Sequence, residues 1–382
     1  MTSRLLGAAL ALTLLSGPAL AGPYTLTFIG LADGANEASA AFAVNNAGQV
    51  VGSDINLSAS LGFIWQNGAA TPTLPASSTF NSGNSPSFVQ AINAHGQVAG
   101  YGRVAFGVDH AFRQTGGAIL DLGDLPLGGD VSKGWGINAN GWVVGESGTR
   151  ENSLNVQHGF VWNGSTMLDA GDLAGGANAS SLRAINDSNV AVGWGTLNGS
   201  NRRAIKWEAG VLTDLGELPG GNDSSEAYAI NNAGVIVGQS ALLGPANISV
   251  VHAVRWDGGV MTELGELPGG ADFSTAFGIN EAGDIVGRSR DGTGDRAVLW
   301  RNNVLHDIND LVPDRGSFTF EIAYDINDNG WIVGMGYDAA ADRDRAFVLI
   351  PQAGQETATP EPASAVLLLS GLVALLRRRA RA

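Results

Sequence analysis

The chain has no cysteine, and among its 382 residues only 21 are basic. The first absence excludes disulfide scaffolds, zinc–thiolate domains, iron–sulfur proteins and thiol enzymes. The second, set against 36 acidic residues and a formal charge of -15, argues against nucleic acid, whose phosphates need a basic surface. Helix is disfavoured too, because Gly, Asn or Pro recurs at short intervals through the repeated unit. What the chain has is glycine, 55 residues of it, without the Gly-X-Y period of collagen. The length suffices for a sizeable core.

The two ends read as addresses rather than as fold. Residues 1–21 carry Arg4, an apolar run from Leu5 to Leu15 and the A-x-A site Ala19-Leu20-Ala21. That order is a secretory signal peptide, and the run is about half the ~20 residues a membrane span needs. At the other end a linker, 352–359, precedes Pro360-Glu361-Pro362, the weakly apolar Ala363–Leu376, and a basic cluster with Arg377, Arg378 and Arg379. As a helix the apolar part reaches about 21 Å, short of a ~30 Å hydrocarbon core, and its arginines would hold that end in the cytoplasm. Such a segment suits a transient membrane stop, with a plain tail anchor as the alternative. Residues 360–382 closely resemble the PEP-CTERM sorting signal of Gram-negative bacteria. That resemblance implies recognition by an exosortase, a processing protease of the membrane, and a destination at the cell surface or beyond. Loss of both signals would leave 16 basic and 35 acidic residues, a net charge of -19.

Between the ends one unit recurs seven times. Its clearest signature is an apolar pair, Asn, a Gly-containing turn, an apolar triplet and Gly, centred on Asn45, Asn93, Asn138, Asn186, Asn231, Asn280 and Asn327. The spacings are 48, 45, 48, 45, 49 and 47 residues. A second signature ends in Trp65, Trp162, Trp207, Trp256 and Trp300, with Gln114 and Leu349 at the same place in two copies. A third is Leu-Gly-acidic-Leu followed by a turn, as in Leu215–Gly221. Within one copy these signatures give four short strands: 227–230, 235–238, 252–256 and 260–264. Four antiparallel strands per ~47 residues, seven times over, predict an all-β, seven-bladed β-propeller over 22–351. The mature chain opens with a fourth-type strand, 24–29, and closes with a third-type strand, 345–350. Their pairing would complete the last blade and close the ring, which a β-solenoid would have no reason to do. The repeat resembles the HAF repeat of bacterial extracellular proteins, matched by His110-Ala111-Phe112 and approximately by His158-Gly159-Phe160. That resemblance implies export and β-architecture, and carries no activity.

No catalytic constellation is legible: the chain has no nucleophile elbow, phosphate loop or local metal-ligand spacing. His110, His158 and His252 occupy one position in different copies, the mark of packing rather than of catalysis, and the repeated Trp residues read as wedge fillers between blades. The candidates for a ligand or cation face are the acids of the third signature, Asp124, Asp172, Glu217, Glu266 and Asp310. They lie in fourth-to-first-strand connections, which share a face with second-to-third-strand loops of 8 to 13 residues, the longest being Gln239–Val251. Trp194, read as the start of such a loop, is the aromatic candidate, and Asp325 is the candidate for a lone calcium. The sequence thus predicts an exported, surface-sorted, non-catalytic binding or scaffold propeller associated with extracellular polysaccharide or matrix, its only membrane contact through 363–376. A polysaccharide hydrolase or lyase on the same scaffold, and an adhesion module for a surface protein, are the competing readings.

Overall fold

The computed structural model describes residues 23–352, except 31–37, 56–60, 74–86, 106–107, 127–128, 152–153, 176–177, 198–200, 245–248 and 271. The segments read from sequence as signal peptide and sorting signal, and most of the linker between fold and tail, lie outside the described residues.

Seven four-stranded antiparallel sheets surround one axis, a seven-bladed β-propeller. Blade one is β2 (Ala38–Val44), β3 (Val50–Ile55), β4 (Leu61–Gln66) and β5 (Ala69–Pro72). Blade two is β6 (Ser87–Ile92), β7 (Val98–Ala105), β8 (Val108–Thr115) and β9 (Ala118–Asp121). Blade three is β10 (Ser132–Ile137), β11 (Val143–Glu151), β12 (Leu154–Trp162) and β13 (Met167–Gly171). Blade four is β14 (Ser180–Ile185), β15 (Ala191–Leu197), β16 (Asn201–Glu208) and β17 (Val211–Asp214). Blade five is β18 (Gly221–Ile230), β19 (Ile236–Leu243), β20 (Ser249–Asp257) and β21 (Val260–Glu263). Blade six is β22 (Ser274–Ile279), β23 (Ile285–Asp291), β24 (Gly294–Arg301) and β25 (Val304–Asp307), followed by the single turn of helix α1 (Ile308–Leu311). Blade seven is β26 (Phe318–Ile326), β27 (Ile332–Asp338) and β28 (Arg343–Pro351), completed by β1 (Tyr24–Ile29). The β1–β28 register runs from Tyr24 opposite Pro351 to Ile29 opposite Ala346, so the ring closes by the expected pairing.

First strands of neighbouring blades touch all the way round, which places them at the axis and the fourth strands at the rim. The blades bury an apolar seam at each junction. Phe63, Phe112, Phe160 and Phe347 of the third strands are wholly buried, and the repeat Trp residues are 2–6% exposed. The wedge reading of the tryptophans therefore holds. Gln114 takes over the polar half of the role: its Nε2 donates to the Thr73 carbonyl (2.6 Å), as the Trp256 indole does to Leu215 (3.0 Å).

The repeat Asn is explained by a ring of hydrogen bonds. Each Asn amide donates to the backbone carbonyl of the next blade's Asn, from Asn45 to Asn93 (3.0 Å), and onward to Asn280 to Asn327 (3.2 Å) and Asn327 back to Asn45 (2.9 Å). The carbonyl end of each amide accepts N–H groups of its own turn; Asn186 takes those of Ser188 and Val190. A buried serine supplies a second staple between blades, since the third-strand N–H of Ala204 donates to Ser225 Oγ and that of Ala253 to Ser274 Oγ, both at 2.9 Å.

The second-to-third-strand loops expected from sequence are mostly strand. Of Gln239–Val251, residues 239–243 and 249–251 are paired, and β23 and β24 are separated by only Gly292 and Thr293. Alternating side chains let the ladder continue until a breaker intervenes, here Gly244. Trp194 accordingly stands inside β15 rather than at a loop.

Candidate functional site: the lining of the central channel

Every first strand carries a bulge three residues before its Asn. At that point the register skips one residue in every blade: Phe42, Gln90, Trp135, Arg183, Tyr228, Phe277 and Tyr324. The cause is the last Gly of the signature on the second strand. A Cβ at Gly193 would lie 2.0 Å from the Ser181 carbonyl oxygen and one at Gly145 1.9 Å from that of Lys133, so only glycine admits the bulged backbone. The bulge re-aims one side chain per blade toward the axis.

These seven residues are half-buried and share no single identity, though five are aromatic. Phe42, Tyr324, Phe277 and Tyr228 form an arc of ring contacts with centroids 5.5, 5.7 and 5.4 Å apart. Across the channel the Arg183 guanidinium lies 4.5 Å from the Trp135 ring. Among the described residues Arg183 forms no ion pair. A second tier comes from the residue after each repeat Gly and its cross-strand partner. Phe88 stacks on Tyr101 (4.9 Å), and Tyr101 meets Trp135 edge-on (5.5 Å). Glu146 is held by Lys133 (3.5 Å) and Ser181 (2.9 Å), and Glu226 by Arg202 (2.8 Å) and Tyr228 (2.9 Å). Burial, and after it the Asp109 and Glu146 charges, push the Tyr101 phenol up to about 12. Burial first and Glu226 second raise that of Tyr228, so both tyrosines stay protonated donors at neutral pH.

The residues singled out from sequence fall elsewhere. Asp124, Asp172, Glu217 and Glu266 sit beyond the outermost strands, at the rim, and Asp310 is exposed on α1. They do not form a ring about the channel. Asp124 accepts the N–H of Asp130 in the connection to blade three (3.2 Å), and Glu217 pairs with Arg203 of its own blade (3.0 Å). Trp194 does reach the second tier, but it is 5% exposed and roofed by the Arg202 guanidinium at 4.0 Å. Asp325, beside the bulge of β26, spends its two oxygens on the N–H groups of Val44 (2.9 Å) and Ile326 (2.9 Å), so it ties blade seven to blade one. Burial of that carboxyl raises its pKa to about 6. The repeated histidines pair with fourth-strand acids eleven residues on, His110 with Asp121 and His158 with Asp169, both at 3.0 Å. Sequence reasoning missed the bulge residues. Their signal was available as a first-strand position without a fixed residue, aromatic in five of the seven copies.

No protein-family model matches the chain, and neither does any curated protein. Among solved structures it is similar to the β-propeller domain of the Trilobed protease from Pyrococcus furiosus, at 8% identity and a TM-score of 0.50, over 82% of this chain and 95% of that one. That propeller is described as having an open velcro topology, whereas this ring is closed by β1. Two further similarities have lower TM-scores. TolB from Acinetobacter baumannii matches at 10% identity and 0.40, over 83% of this chain and 64% of that one. A fucose-complexed lectin of Aleuria aurantia matches at 13% identity and 0.38, over 71% and 94%. At these identities the likeness defines a class, the β-propellers. Among the described residues no helix is long and apolar enough to cross a membrane.

Proposed function

We propose that this chain is an exported, surface-sorted binding propeller whose ligand is an extracellular polysaccharide, bound without cleavage by the channel lining. The observation that carries the reading is the contrast between a repeated frame and the variable positions that face the axis. Asn, Ser, Gly and Trp repeat because they hold the blades together, while the bulge residues bear aromatic faces, a glutamine and an arginine. Aromatic faces suit the apolar face of a sugar ring, and the ion-pair-free Arg183 suits an acidic or hydroxyl substituent. Glu146 and Glu226, the carboxylates of the second tier, are each held by a cation and a hydroxyl donor, an arrangement for shape rather than for acid–base exchange. Export rests on Ala19 and Ala21 at the end of the signal peptide. Surface sorting by an exosortase rests on the PEP-CTERM resemblance of Pro360, Glu361, Pro362 and the arginines at 377–379.

The test is affinity electrophoresis through gels containing the host's own exopolysaccharide. Retardation of the wild-type chain, reduced at least ten-fold in apparent affinity by Arg183→Gln and by Trp135→Ala, supports the reading. Retardation equal in both variants would move the site off the channel.

A further inference from the structure

The rim of the ring carries one triad of side chains in five of the blades, a base on the third strand followed by two acids at the fourth strand and the turn after it. It reads His110/Asp121/Asp124, His158/Asp169/Asp172, Arg203/Asp214/Glu217, His252/Glu263/Glu266 and Arg296/Asp307/Asp310. In blade four the guanidinium of Arg203 lies between its two carboxylates, 3.4 Å from Asp214 and 3.0 Å from Glu217. Blade five keeps two carboxylates and replaces the guanidinium by an imidazole. His252 Nδ1 bonds Glu263, and Glu266 stands beside them, so that one donor atom of each lies within 4.8 Å of the other two. Among the described residues this is the only such group of three. In the other two histidine blades both acids are aspartates, one methylene shorter.

Two observations point to a missing cation. Glu266 Oε2 is shielded from solvent and has no hydrogen-bond partner among the described residues. In addition, the fixed positive charge that balances the same pair of acids in blade four is absent here. From these we propose that His252, Glu263 and Glu266 form a binding site for a divalent transition-metal ion of the zinc class.

The donor set decides the class. Imidazole with two carboxylates suits zinc and its neighbours, whereas calcium asks for six to eight oxygens. Ligands of one zinc stand at most about 4.2 Å apart, so donors already within 4.8 Å need only small side-chain rotations. Glu263 is 40% exposed and lines a groove of about 520 Å³ with Arg255 and Trp300, which gives an ion a path to the site and leaves coordination positions open to solvent. The ion would tie the fourth strand of blade five to its exit turn, as Arg203 does in blade four.

The test is isothermal titration of the full chain with zinc, together with thermal unfolding. One equivalent should bind, and zinc should raise the melting temperature. Glu266→Gln should weaken binding at least ten-fold. His252→Arg rebuilds the triad of blade four, so it should keep the fold and the melting temperature of the metal-free chain while losing both zinc binding and the zinc-dependent rise. Absence of binding, or binding unchanged in Glu266→Gln and His252→Arg, would overturn the proposal. Calcium bound as tightly as zinc would overturn the assignment of the metal class.

Discussion

At the scale of single residues, the repeat separates what holds the ring from what is free to act. Each repeat Asn is nearly buried and serves two turns at once, its amide N–H₂ bonding the next blade and its oxygen capping its own turn. Asn186→Ala would remove one of the two donors to the Asn231 carbonyl and strand two N–H groups, and should cost about 2–4 kcal/mol, read as a loss in urea midpoint at unchanged slope. Asp325 gives a pH signature. Its folded pKa of about 6 lies above the ordinary 3.8, so the native state binds the extra proton between those values. The contribution of this group is therefore most favourable below about pH 4 and is lost as pH rises through 6, by up to about 3 kcal/mol. Unfolding measured from pH 4 to 8 on wild type and Asp325→Asn should show the variant relatively better off at high pH. A difference independent of pH would contradict the burial assigned to this carboxyl.

Elements are where the sequence was readable and where it was not. Strand number, order and blade count followed from the spacing of Asn, Trp and Leu-Gly signatures, because each marks a turn or a seam that recurs at fixed register. The strand ends did not, since nothing local in Gln239–Leu243 tells a loop from a continuing ladder, and the error put Trp194 at a loop. The rim acids were legible as a repeated motif, but the pairing of the third-strand base with a fourth-strand acid eleven residues on was not, because it runs across two strands. The bulge was hidden for a physical reason: it shows only when the Gly on β15 and the carbonyl of Ser181 are known to face each other at close range. Gly193→Ala puts a methyl against that oxygen and should destabilise by about 2–4 kcal/mol, whereas Gly210→Ala, in open space but at a φ of 87°, should cost about 1 kcal/mol. Equal effects would mean that the close approach is not what fixes the glycine.

Over the whole molecule, the seam between β1 and β28 makes one closed body out of seven similar units. Removal of Tyr24–Ile29 exposes the edge of β28, unseats Tyr24 and Phe28 from the Phe318 cluster, and should lower the melting temperature by 10 °C or more. A closed ring is stiff, and a stiff ring presents its axial side chains in a fixed arrangement, as the proposed recognition by the channel lining requires. The most direct measurement of that claim is size-exclusion chromatography of the host's exopolysaccharide with and without the purified chain, and with the Arg183→Gln variant. The account predicts that the wild-type protein co-elutes with polymer of undiminished length and that the variant elutes alone. Later elution of the polymer, as shortened chains, would contradict it and make the propeller a polysaccharide-cleaving enzyme.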